Sequence, residues 1–175
     1  MFKKMENYFE LFSIKPDFNI SIINLNAEYQ KQIVKFHPDR FITSSAKERV
    51  LALQNTSLIN TAFDTLKSPL NRANYLLELN GIDAFDEKYT QMDVKFLMNQ
   101  IELRENLELI RISKDEIRLY DFIEKNDLNI KHNVDNIRLL FTNTKTFNEI
   151  KNLVRELKFY EHLNTHAKQL MNEWL

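Results

Sequence analysis

The sequence predicts an all-α protein, and three observations carry that reading. A single glycine and three prolines in 175 residues are too few turn-formers for many tight β-turns or for a glycine-bearing phosphate loop. Apolar side chains recur at three- and four-residue steps along most of the chain, the spacing of one buried helix face. Between these runs stand polar starters of the Ser/Thr-x-x-Glu/Asp kind, which close capping boxes at helix N-termini.

From about Asn19 to Phe36, the residues Ile22, Leu25, Tyr29, Ile33 and Phe36 define one apolar helix face, with Lys31 and Lys35 together on a solvent side. Pro38 disfavours the α conformation at His37 and has no amide proton to donate. The helix therefore ends at about Phe36, and "HPDRFITS", residues 37–44, reads as a loop. Ser45 and Glu48 form a capping box that opens the next helix, worth about 1 kcal/mol. Its broad apolar face is expected from Leu51, Leu58, Ile59, Ala62, Phe63 and Leu66, up to about Lys67. Ser68, with Pro69 at the first helical position, starts a shorter helix. Gly81 closes it, as the residue able to take a left-handed conformation.

The polar run "DAFDEKY" that follows is the best boundary. It divides the chain into an N-terminal unit, 1–82, a connection, 83–89, and a C-terminal unit, 90–175. Capping patterns at Thr90–Asp93, Ser113–Glu116 and Thr146–Glu149 divide the second unit into three helices, a small bundle. At 100° per residue, Phe96, Leu103, Leu107 and Ile110 form a core stripe on the first of these. Nearly opposite lie Val94, Leu97, Met98 and Ile101, bordered by Glu102 and Glu105. A bundle helix needs only one apolar face, so a second one rimmed by carboxylates suggests a protein-binding patch, the alternative being a helix sandwiched between neighbours that buries both stripes.

Composition excludes several functions. A formal net charge of -1 argues against a nucleic-acid or membrane-surface protein. No run approaches the roughly 20 apolar residues a bilayer span requires, and the N-terminus lacks the pattern of a cleaved leader. A cytoplasmic protein is expected, with an already processed organellar form as the alternative. With no cysteine, disulfides, thiolate metal ligation and a thiol nucleophile are absent. His37 and Asp39 could serve as an acid-base pair, but no nucleophile elbow or glycine-rich oxyanion loop accompanies them. His162 and His166 sit at i and i+4, yet Leu163 stands where a metalloprotease glutamate would, and no third ligand is evident. The reading is a protein without catalytic residues, metal or cofactor.

"KFHPDRF", Lys35–Phe41, between a lysine-bearing helix and a longer one resembles the J-domain loop of DnaJ-type co-chaperones. "NYFELFSI" resembles the short first helix of that domain, "YQKQIVKF" the second, and "LINTAFDTLKSPLNRANY" the pattern IN-A---L--P--R--Y across the third and fourth. This resemblance covers about residues 6 to 80. It implies docking on a DnaK-type chaperone through Tyr29, Lys31, Lys35, His37, Pro38, Asp39 and Arg40, with stimulation of the partner's ATPase. Lysines at i and i+4 repel by about 0.2 to 0.5 kcal/mol, a cost that an acidic partner would relieve. Gln30 stands where J-domains often carry a basic residue, which thins this face.

The second half, with "FLMNQIELRE" and "VRELKFYEHL", resembles the C-terminal domain of the HscB family of co-chaperones. That family binds the iron-sulfur scaffold IscU and presents it to the DnaK-type chaperone HscA. The resemblance implies a scaffold-binding surface at Leu97, Met98, Ile101, Glu102, Glu105 and Phe159. Leu109 is a departure, standing where a well-known bacterial member has a further glutamate, so the acidic rim is shorter. The expectation is a monomeric two-domain adaptor with an HscA-like and an IscU-like partner. One rival is a general J-domain co-chaperone with another client; a second is a small helical hydrolase or metalloprotein using these histidines.

Overall fold

The computed structural model describes residues 7–86, 93–143 and 146–174, with backbone alone at Asn143. The described residues are helical or connecting, without a strand, as the composition predicts. Two compact units divide the chain, Met1–Gly81 and Ile82–Leu175.

The first unit contains α1 (Tyr8–Leu11), α2 (Ile22–Phe36), a 3-10 turn (Pro38–Phe41), α3 (Ala46–Lys67) and α4 (Pro69–Glu78). Helix α2 starts later than the sequence suggests, because the Asn24 amide donates to Ser21 Oγ, making Ser21 its cap. It ends at Phe36, where Pro38 was expected to stop it. Both halves of the Ser45–Glu48 capping box form. Hydrogen bonds from Ser45 hold the Glu48 carboxyl below its ordinary range.

Tyr29 meets Phe63, while Phe36 meets Thr56. Contact positions thus rise on α2 as they fall on α3, so the pair is an antiparallel hairpin. The buried stripe of α3 is Ala52, Ile59, Ala62 and Leu66. The expected face is corrected at Leu51 and Leu58, which are exposed. A run apolar on several sides does not specify which side turns inward; the rotation follows from fitting Ala52 and Ala62 against neighbouring elements.

The residues of the IN-A---L--P--R--Y pattern prove structural. Arg72, buried, donates to Leu66 O (2.6 Å) and stacks on Phe18 (4.9 Å). It thereby satisfies a carbonyl in the last turn of α3 that lacks an intrahelical partner. Tyr75 stacks on Tyr8 (4.5 Å), and its hydroxyl accepts from the Tyr8 amide, tying α1 to α4. Gly81 has φ +75 with open space around its missing Cβ, so its backbone conformation, not crowding, favours glycine.

The second unit contains α5 (Val94–Ser113), α6 (Glu116–Asn143) and α7 (Phe147–Trp174). Two starts differ from expectation. Asp93 caps α5 through the Lys95 amide; Thr90 lies outside the described residues. Ser113 is the last residue of α5, and Asp115 caps α6 by accepting from the Arg118 amide. Lys114 turns the corner with φ 51, a left-handed geometry that Ser113 as cap would not need. Thr146 directly precedes α7.

Leu107, Ile110, Leu119, Phe122, Leu163, Ala167 and Leu170 make a core shared by all three helices. Buried asparagines on α6 interrupt the apolar packing against α7. Asn126 donates to Tyr160 O (2.8 Å), and Asn133 donates to the Glu156 carboxylate. Such bonds fix the helix register, because a slip would bury these amides unpaired. The buried Arg155 of α7 donates to Ala84 O and Asp86 O, and Lys158 lies over the Phe85 ring (3.8 Å). Residues 84–86, placed in the connection by the sequence reading, are thus fastened to α7.

Candidate functional site

The turn after α2 is anchored through its backbone and open in its side chains. Two donors arrive from outside α2 to satisfy its terminal carbonyls: Arg40 Nη1 to Val34 O (3.1 Å) and Thr56 Oγ1 to Phe36 O (3.0 Å). These carbonyls lie in the last turn of α2, where no intrahelical donor is available. His37 is extended (φ -57, ψ 130), as a residue before proline must be, and Pro38 opens the 3-10 turn. The Arg40 amide returns to His37 O (3.0 Å). The "HPDRFITS" loop is therefore ordered by one short helical turn rather than left irregular.

His37, Asp39 and Arg40 are exposed, and Pro38 is half-buried. The Asp39 amide donates to His37 Nδ1 (3.3 Å), whereas the nearer carboxylate oxygen lies 3.6 Å from that nitrogen. The second distance exceeds hydrogen-bond reach, so the amide contact orients the ring. It also assigns the proton of a neutral imidazole to Nε2, leaving a donor for another molecule.

The remaining residues of this set divide by role. Tyr29 stacks on Phe63 (4.0 Å), and its hydroxyl donates to Asn60 Oδ1 (3.1 Å). Its side chain is committed to the α2–α3 hairpin. Lys31 pairs with Glu28 (2.5 Å) on the exposed surface, so part of the lysine repulsion is already relieved within the helix. Lys35 lies over the neighbouring Phe36 ring (5.1 Å). Thr56, Asn60 and Glu28 escaped the sequence reading of this region. Asn60 alone carried a signal, as a member of the recurring pattern.

On α5 the two apolar stripes separate as the periodicity predicts. Phe96, Leu107 and Ile110 are buried, and Leu103 packs against the core. Val94, Leu97, Met98 and Ile101 are 42% to 68% exposed. Glu102 and Glu105 lie beside them, exposed and without an ion pair among the described residues. Phe159 differs in setting from the other five. It is half-buried on α7, edge-on to Phe96 (5.7 Å), with the Arg104 guanidinium over its ring (5.4 Å). The structure therefore brings Phe159 to the α5–α7 wall and holds it there. Arg104, missed in the sequence, supplies that clamp; α5 is further tied to α7 by Asn99 donating to the Tyr160 hydroxyl (3.2 Å).

Among the described residues no cluster of three or more metal-ligating side chains occurs, and no helix is long and apolar enough to cross a membrane. His162 and His166 are both exposed.

A helical hairpin bearing an exposed, backbone-anchored His-Pro-Asp turn, followed by a separate three-helix unit, defines a J-domain protein with a second helical domain. A family model described as the HSCB C-terminal oligomerisation domain matches residues 92–168. A protein of Aliivibrio fischeri (strain MJ11), a co-chaperone protein HscB homolog, is 39% identical over 170 residues, 97% of this chain and 99% of its own. The chaperone HscB from Vibrio cholerae superposes with a TM-score of 0.84 at 34% identity, over 97% of this chain and 99% of that one. Human co-chaperone HscB does so with a TM-score of 0.83 at 25% identity, over 95% and 83%. The chain belongs to the HscB family of co-chaperones.

Proposed function

We propose that this co-chaperone binds an IscU-like iron-sulfur scaffold protein and delivers it to an HscA-like DnaK-type chaperone, whose ATPase it stimulates during iron-sulfur cluster assembly. The carrying observation is the pairing, on one chain, of an exposed His37-Pro38-Asp39 turn with an apolar helix face edged by unpaired glutamates. The His37 imidazole, the Asp39 carboxylate and the α5 face are exposed rather than packed inside their own units. The turn offers the His37 imidazole and the Asp39 carboxylate to a partner, flanked by the cations Lys35 and Arg40. Its backbone anchors limit the ordering cost of docking.

The α5 face, with Phe159 as its inner wall, takes the scaffold through apolar contacts at Leu97, Met98 and Ile101 and through charge at Glu102 and Glu105. Because one chain carries both sites, engagement of one partner raises the effective concentration of the other. The chain itself performs no catalysis; hydrolysis occurs in the chaperone. It acts as a cytoplasmic monomer.

The decisive measurement is ATPase turnover of the cognate chaperone with and without scaffold. The unsubstituted chain raises turnover, and raises it further with scaffold present. His37→Gln removes the stimulation while scaffold binding by titration calorimetry is unchanged. Full stimulation by His37→Gln would falsify the assignment of the turn.

A further inference from the structure

The chain has no cysteine, so the thiols that usually take two-electron oxidation in proteins are absent and the methionine thioethers are left as its sulfur targets. Of its five methionines, Met98 and Met171 lie among the described residues. Met171 packs against the core shared by α5, α6 and α7. Met98 is 58% exposed on the outer side of α5. An oxidant in solution therefore reaches the Met98 side chain more readily than that of Met171.

The surroundings of Met98 make its oxidation state matter. Val94 at i-4, Ile101 at i+3 and Glu102 at i+4 are its neighbours on the helix surface, with Leu97 beside it in the chain, and all four are exposed. As a thioether, Met98 is apolar and unbranched and adapts its shape to an apolar partner. As a sulfoxide it carries a polar S-O group. Val94, Leu97 and Ile101 offer that oxygen no hydrogen bond, and the Glu102 carboxylate accepts without donating. A partner covering the face would take the oxygen out of water, a cost that the thioether does not carry.

We propose that Met98 is a reversible oxidation site through which a hydroperoxide weakens the binding of the scaffold to α5. This rests on the reading of that face as the scaffold-binding surface. The Met98 sulfur lone pair attacks the terminal oxygen of the hydroperoxide. The S-O bond forms as the O-O bond breaks, and the departing oxygen takes up the proton of the transferred one and leaves as water or an alcohol. Sulfur is oxidised by two electrons and the peroxide is reduced by two. A methionine sulfoxide reductase, drawing two electrons from a pair of thiols, removes the oxygen as water and restores the face.

The test treats the full chain with hydrogen peroxide, removes the peroxide, and titrates the chain by calorimetry against its cognate iron-sulfur scaffold protein, with peptide mass mapping to locate the added oxygen. Met98 gains oxygen before Met171, and scaffold affinity falls about tenfold. Stimulation of the chaperone ATPase without scaffold stays the same, and methionine sulfoxide reductase returns the affinity. Met98→Leu has one affinity before and after peroxide, whereas Met171→Leu, a volume-conserving change, still loses affinity on treatment. Unchanged affinity of a chain oxidised at Met98, or an equal peroxide loss by Met98→Leu, overturns the proposal and leaves the scaffold face standing. Oxidation of Met171 ahead of Met98 does the same. Undiminished binding by the untreated double variant, Leu97→Ala with Met98→Ala, removes the scaffold face itself and the proposal with it.

Discussion

Thr56 shows how a residue with no sequence signal acquires a role. Its hydroxyl donates to Phe36 O at the end of α2, and Arg40 donates to Val34 O two residues earlier. Between them they hold the helix end from which His37 projects. Thr56→Val keeps the shape and deletes the donor, leaving a half-buried helix end short of one hydrogen bond. The expected loss is about 1 kcal/mol of stability, measured by urea unfolding, with weaker ATPase stimulation at equal concentration. Tyr29 is the counterpart: a residue assigned to docking by resemblance whose ring and hydroxyl are occupied by Phe63 and Asn60.

Among the elements, the α6–α7 pair carries buried asparagines at its interface. Asn133 donates to the Glu156 carboxylate, while burial, with a smaller contribution from the Asp93 charge, raises the carboxyl pKa above its ordinary value. A carboxyl raised on folding binds protons more readily folded than unfolded. Its contribution to stability is therefore fully present below the unfolded value, about 4.3, and is lost as pH rises through the folded one. Glu156→Gln keeps an acceptor for Asn133 and removes the buried charge. It should raise the melting temperature at pH 7, with a gain that shrinks as pH falls toward 4; a gain independent of pH would contradict this cause. Helix α5 differs, since its register is set by Asn99 to Tyr160 and by the Phe96, Phe159 and Arg104 cluster, leaving the opposite side unpartnered.

For the whole molecule, the proposed activity depends on two surfaces sharing one chain. A mixture of the His37→Gln protein with the Leu97→Ala, Met98→Ala protein supplies a competent turn and a competent face on separate molecules. If tethering is the mechanism, scaffold-enhanced ATPase is not restored by mixing at concentrations below the effective concentration of a linked pair, in the mM range for short connections. Restoration in such a mixture would show that each surface acts alone.

The sequence by itself determined the helical class, the end of α2 at Phe36, the Ser45 capping box, the glycine at the close of the first unit and the two faces of α5. These are local properties: proline geometry, short-range capping and a 3.6-residue period need no distant contact. Tertiary structure decided which side of α3 is buried, why Asp115 rather than Ser113 caps α6, and how Phe159 is pinned by Phe96 and Arg104. It also decided that Arg72 and Arg155, charged in the sequence, are buried donors to backbone carbonyls. Each of those outcomes rests on a contact between residues brought together only by packing, or on a choice among nearly equivalent local starts that packing resolves.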